Sequence, residues 1–169
     1  MPKRKLAAVT AAVAASASGA VVPTGPIRAS CWLLKSEPSD YSISQLAAEG
    51  TTVWDGVRNA VARKNLRAMA AGDRCLFYHS SCKQIGVVGE ATVCRTAYPD
   101  PADAKWAVVD IRFEMAWDEL VSLEKLKSFK ETSLQGMALF SQSRLSVQPV
   151  STEHFEFIQG LGRGAPGSA

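Results

Sequence analysis

The sequence predicts an α+β domain: a small β-barrel or strongly curved sheet of mixed strand order, with short helices at its periphery. Three observations lead there. Strand-like runs are numerous and short, and only three or four short helical segments interrupt them. No strand–helix rhythm of regular length appears, which argues against a doubly wound parallel sheet. Ala107, Val109, Ile111, Phe113 and Met115 alternate strictly with Trp106, Val108, Asp110, Arg112 and Glu114, the period-two signature of a half-buried strand.

The elements follow in order along the chain. Cys31 to Leu34 reads as a strand that ends at Ser36-Glu37-Pro38, because the residue before a proline is pushed away from helical angles. Ser42 with Gln45 has capping-box spacing, so a short helix runs to about Ala48 before Gly50. Thr51 to Trp54 is a brief strand broken at Asp55-Gly56. Asn59 caps a helix over roughly 60–70 whose Ala62, Leu66 and Met69 form one buried stripe, with Gly72 closing it. Arg63, Lys64 and Arg67 share its solvent face, with Arg58 just ahead. Arg74 to His79 is a strand, and Ser80 to Lys83 a turn. Ile85 to Arg95 is β-rich, with Gly86 and Gly89 marking bulges or close backbone approach. Tyr98 to Pro101 reads as a loop, Leu123 to Lys127 as a short helix, and Leu145 to Val147 as a strand stopped by Pro149. Thr152 then caps a last helix, ended by Gly160, and residues 161–169 form a frayed tail.

The 169 residues carry a formal charge of +3, from 19 Lys+Arg and 16 Asp+Glu. Lys3, Arg4, Lys5 and Arg28 all precede the first acidic residue, Glu37, so residues 1–30 hold the excess and the rest has 15 basic against 16 acidic side chains. A globally basic body that coats nucleic acid is excluded, and any polyanion contact there is local. No apolar run approaches the roughly 20 residues that cross a bilayer. Residues 1–30 read as a disordered leader or targeting segment. Pro2-Lys3-Arg4-Lys5 fits a nuclear address, the acid-poor Ala/Ser stretch fits an organelle transit peptide, and the charged start imitates a secretory signal. The expected location is the nucleus, with a mitochondrial or plastid organelle, or the cytoplasm, as alternatives.

Catalytic and metal-binding signatures do not assemble. GxxxxGK[ST], GxSxG and HExxH are lacking, and His79 with Cys82 offers only a two-ligand fragment. No metal or cofactor is expected, and Cys31, Cys75, Cys82 and Cys94 read as reduced thiols. What remains is a set of polar and aromatic residues at strand ends: Lys35, Ser36, Trp54, Asn59, Tyr78, His79, Ser80 and Ser81. A tryptophan offers a stacking face for a flat ring, and Asn and Ser donate and accept hydrogen bonds at a nucleobase edge. On these residues alone the competing reading is the stronger, with Trp54 and Tyr78 as core aromatics and the basic residues merely solvating a helix.

The motifs tip that balance. WLLKSEP (Trp32–Pro38), WDGVRN (Trp54–Asn59), RKNLRAM (Arg63–Met69), FYHSSCK (Phe77–Lys83), GVVG (Gly86–Gly89), AYPD (Ala97–Asp100) and RLSVQP (Arg144–Pro149) resemble, in order, the signatures of the EVE domain. The resemblance covers roughly Cys31 to Gly160. It implies a PUA-like fold, a domain over 31–160, no catalytic activity, and kinship with YTH domains, which take a modified base into an aromatic-lined pocket. The implied partner is nucleic acid with a modified base, a modified cytosine in DNA ahead of RNA. The alternatives are an RNA-binding module of PUA/YTH type and a protein-interaction domain without nucleic-acid binding, and a monomer away from membranes is expected. Carried over, Lys35 and Ser36 flank the pocket, Trp54 is the ring platform and Asn59 reads the base edge. Tyr78, His79, Ser80 and Ser81 line the opposite wall. Arg144 and Ser146 sit near the rim. Read from the residues themselves, the basic face of Arg58, Arg63, Lys64 and Arg67 is placed to hold a phosphate backbone or merely solvates its helix. Between Pro101 and Lys105 the chain is shorter than many relatives.

Overall fold

The computed structural model describes residues 30–164, so the expected leader, Ser30 apart, falls outside the described residues. Six strands form one sheet: β1 (Cys31–Ser36), β2 (Thr51–Trp54), β3 (Arg74–His79), β4 (Gly86–Asp100), β5 (Asp103–Ser122) and β6 (Val147–Val150). Five helices surround it: α1 (Ile43–Glu49), α2 (Ala60–Ala68), α3 (Leu123–Lys127), α4 (Ala138–Ser141) and α5 (Thr152–Arg163). The spatial order is β2-β5-β4-β3-β1-β6. Only β1 and β3 run parallel; every other pair is antiparallel. The sheet is open, with β2 and β6 as its edges, so of the two architectures expected the curved sheet is the one formed.

Side-chain alternation on the central strands divides the interior into two cores. Trp32, Leu34, Cys75 and Phe77 enter one, where α1 and α2 bring Ile43, Leu46, Ala62, Leu66 and Met69. Cys31, Leu33, Leu76 and Tyr78 enter the other, beneath Leu126, Leu139, Phe155 and Ile158 of α3, α4 and α5. A sheet buried on both faces needs no polar alternation in its central strands, and LL (Leu33-Leu34) and CLFY (Cys75–Tyr78) show none. The two expected caps form as their side chains dictate. Ser42 and Gln45 make a reciprocal box, and Asn59 Oδ1 accepts from the Val61 and Ala62 N–H groups.

Gly86 and Gly89 are close-approach positions. A Cβ at Gly86 would lie 2.2 Å from the Val121 carbonyl oxygen, and one at Gly89 2.3 Å from that of Met115. The β4–β5 register shifts between Val87 and Gly89, which re-aims β5. Further shifts follow along the hairpin, and the alternation expected along β5 holds for Ala107, Val109 and Ile111, but Met115 is 40% exposed and Val108 is fully buried.

Several expected boundaries move. The loop expected at Tyr98–Pro101 is strand as far as Asp100, because β4 and β5 are one long hairpin turned at Pro101-Ala102. α2 stops at Ala68, and Gly72, at φ +94°, serves the following turn instead of the helix end. Leu145 and Ser146 precede β6, which contains Pro149. An edge strand tolerates a residue that cannot donate on one side. The last helix is capped by Ser151, one residue early, and runs through Gly160 to Arg163. Gly162 serves packing: a Cβ there would sit 2.0 Å from the Trp117 ring, while one at Gly160 would meet nothing within 4 Å. Leu161 to Arg163 thus belong to the folded body. α4 had no sequence signal.

Candidate functional site

The parallel pair β1–β3 ends on one side of the molecule with Lys35 opposite Tyr78 and Ser36 opposite His79. The Ser80 N–H donates to the Ser36 carbonyl at 2.9 Å, closing the two strand ends together. Beyond them Ser81 takes φ 53°, the sole left-handed non-glycine among the described residues. Such a conformation costs on the order of 1–3 kcal/mol and clusters at functional sites.

The sheet splits the expected pocket residues into two groups. On the α1/α2 side lie Ser36, Trp54 and His79. Trp54 meets Tyr41 edge-on at 6.3 Å and Phe77 at 5.5 Å, and Phe77 in turn meets His79 at 5.7 Å. The Ser36 hydroxyl donates to the Tyr41 carbonyl at 2.7 Å. Sequence reasoning missed Tyr41, which follows the Glu37–Asp40 turn and belongs to no periodic run. Trp54 presents no open ring face: it is 2% exposed.

On the opposite side lie Lys35 and Tyr78. The Lys35 ammonium sits 5.5 Å from the centre of the Tyr78 ring and donates to the Ser143 carbonyl at 2.8 Å. Its backbone N–H donates to the Ser146 carbonyl, so Lys35 fastens the segment that carries exposed Arg144 and half-buried Ser146. Burial pushes the Tyr78 phenol up to about 12, with Cys82 adding to the shift, and lowers the Lys35 amine below its ordinary value. Tyr78 packs in the second core, so it does not face Trp54 across a shared wall as expected. Strand alternation between Phe77 and Tyr78 is the reason.

Asn59 is exposed, but its carbonyl oxygen is committed to capping α2. Only its amide NH₂ remains for a base edge. Ser80 is half-buried and Ser81 exposed beyond the two strand ends. Lys64 and Arg67 are exposed on α2, whereas Arg58 and Arg63 are gathered on Trp106. Their guanidinium carbons lie 4.3 and 4.8 Å from its ring centre. Trp106 was legible in one respect: it is an aromatic on the outward side of an alternating strand.

His79 is held neutral by its surroundings. Its Nε2 accepts the Ile43 N–H of the first turn of α1 at 3.2 Å, and burial depresses its pKa. The unfolded histidine titrates near 6.5, so as pH falls the unfolded chain takes up the proton first. Stability is complete above about pH 6.5 and is lost as pH falls toward the folded value, by at most about 1.4 kcal/mol per pH unit. Melting temperatures between pH 7.5 and pH 5 are expected to drop less in His79→Gln than in the parent; parallel declines would exonerate His79.

Among the described residues no three His, Cys, Asp or Glu side chains converge as a metal site, and no helix is long and apolar enough to cross a membrane.

The family model of the EVE domain matches residues 30–161. The chain belongs to the EVE domain family. Mouse thymocyte nuclear protein 1 is 38% identical over 168 aligned positions, covering 80% of this chain and 74% of the mouse protein. The human counterpart is 36% identical with 80% and 75% covered. Among solved structures, human THYN1 protein in complex with 5-methylcytosine-containing DNA superposes with a TM-score of 0.75 at 35% identity. That match covers 82% of this chain and all of the human one, 100%. A Leishmania major protein gives 0.74 at 44% identity, covering 79% and 94%. The fold of this EVE domain extends to the YTH domain of Zygosaccharomyces rouxii MRB1, at a TM-score of 0.51 and 14% identity over 89% of this chain and 97% of that one.

Proposed function

We propose that this EVE domain is a non-catalytic reader that captures a modified base, a modified cytosine in DNA, at the Ser36–His79 end of β1 and β3. The observation that carries the reading is the likeness, over the whole length of the human domain, to a protein solved with 5-methylcytosine DNA. The nuclear names of the mouse and human relatives support work in the nucleus.

In this reading Trp54 is the inner wall of the pocket, and the side chains over it part when a ring enters. Asn59, through its amide NH₂, with Ser80 and Ser81 meets the base edge, and neutral His79 supplies a hydrogen-bonding ring at the side. Lys35 and Tyr78 act from the other face by fastening the Ser143–Ser146 segment, which offers Arg144 at the rim. A captured base must recover an unstacking cost of a few kcal/mol, and stacking returns about 1–3 kcal/mol. A buried methyl group adds about 0.8 kcal/mol, or roughly fourfold in affinity.

Fluorescence anisotropy on matched duplexes tests this directly. The duplex with one 5-methylcytosine is expected to bind about fourfold more tightly than its unmodified twin, and both more tightly than the matching RNA. Equal affinity for the two DNAs would overturn modified-base capture, and a preference for the RNA would overturn the assignment to DNA.

A further inference from the structure

A cationic cluster is built from three separate elements around one tryptophan. Arg58 comes from the loop after β2, Arg63 from the first turns of α2, and Lys105 and Trp106 from β5, just past the Pro101-Ala102 turn. All three cations lie over the Trp106 ring, at 4.3, 4.8 and 5.2 Å from its centre.

We propose that Trp106 holds Arg58 and Arg63 as a two-pronged contact for the phosphodiester backbone of the DNA strand flanking the captured base. The inference rests on the DNA reading above and adds a residue and a role to it. Lys105 is paired with Asp103 at 3.1 Å, both exposed. Neither Arg58 nor Arg63 pairs with a carboxylate among the described residues, and the buried Arg63 Nε has no hydrogen-bond partner there. Two guanidinium groups are thus held on the ring with no carboxylate partner among the described residues. A guanidinium fork matches a phosphate bidentately, and stacking on an aromatic face leaves its N–H edge free. Stacking also removes rotamer freedom in advance, so less is lost when a phosphate arrives. The N-terminus of the nine-residue helix α2, where Asn59 caps and Arg63 follows, adds partial positive charge at the same place. In a body with 15 basic and 16 acidic residues, this is where a polyanion finds local attraction.

The test is the salt dependence of DNA binding by the full chain, read by anisotropy on the methylated and unmodified duplexes. Each phosphate contact contributes about 0.9 to the slope of log affinity against log salt. Trp106→Ala is expected to lower the slope by about one to two contacts, to leave the methylated-to-unmodified ratio unchanged, and to be rescued by Trp106→Phe. Arg58→Gln, at an exposed position, is expected to lower the slope by about one contact in the parent and by less in Trp106→Ala. An unchanged slope in Trp106→Ala, or an undiminished Arg58→Gln effect in that background, would overturn the proposal. Should Trp106→Ala not fold, an unchanged slope in Arg58→Gln alone overturns it. Equal binding of the two duplexes rejects base capture while the slopes still report on the clamp, and no binding to either rejects both.

Discussion

Replacing Trp54 by alanine is expected to lower the stability of the domain by about 3–5 kcal/mol and to remove DNA binding with it. The ring is fully enclosed by the core, touches Tyr41 and Phe77 edge-on, and sits on edge strand β2 opposite Val109. A cavity of that size lies at the end of edge strand β2, which among the described residues pairs with β5 alone. Loss of binding in Trp54→Ala would therefore not by itself demonstrate stacking. Trp54→Phe separates the roles, because a phenyl ring fills most of the space yet offers a base less stacking area. Urea midpoints and anisotropy on the same preparations are the measurements. A midpoint for Trp54→Ala equal to the parent's would sink the core role. Full affinity in a folded Trp54→Phe would remove Trp54 from recognition.

Ending the chain after Gly160 is expected to destabilise the domain by about 2–3 kcal/mol or more. The cause is Glu90, a carboxylate 4% exposed in the middle of β4. It accepts from the Trp117 indole at 3.0 Å, from Gln159 at 2.9 Å, and from the Nε and Nη2 of Arg163 at 2.8 and 2.9 Å. Removing one partner of a buried ion pair costs about 3–5 kcal/mol. The Arg163 side chain is 44% exposed, so solvent screening places the cost at the low end. Loss of Leu161 from the second core adds to it. Arg163→Ala alone is expected to show most of the shift in urea denaturation. A truncated chain that unfolds with the parent would mean a frayed end, as composition alone implies.

That contrast marks how much was legible beforehand. Caps speak locally: Ser42 with Gln45, and Asn59, announced α1 and α2 because each pattern satisfies its own backbone groups. Gly86 and Gly89 were readable as close approaches because a missing Cβ has few other uses inside a strand. Gly160 misled as a helix stop although a Cβ there would meet nothing, whereas Gly162 is the close approach, to Trp117. Tyr98 to Asp100 carried turn residues yet became strand, because pairing with Val108 and Ala107 across the hairpin outweighed propensity. At the candidate site the motifs marked the strand ends, but which face each residue takes depends on register. Ser36 and His79 share a face that Lys35 and Tyr78 do not, and no spacing rule declares that two parallel strands meet there.

β1 lies between two partners that are both made after it: β3, and then β6 near the far end of the chain. During synthesis the segment CWLLKS emerges with both of its edges unpaired, and Arg74 to His79 covers only one of them. The other stays open until Val147 to Val150 arrives. At about 5–20 residues per second, that is an interval of several seconds. For that time a greasy strand edge is offered to any neighbouring nascent chain. The arrival of the last strand therefore closes the second edge of β1, and a chain ending before β6 leaves that edge unpaired.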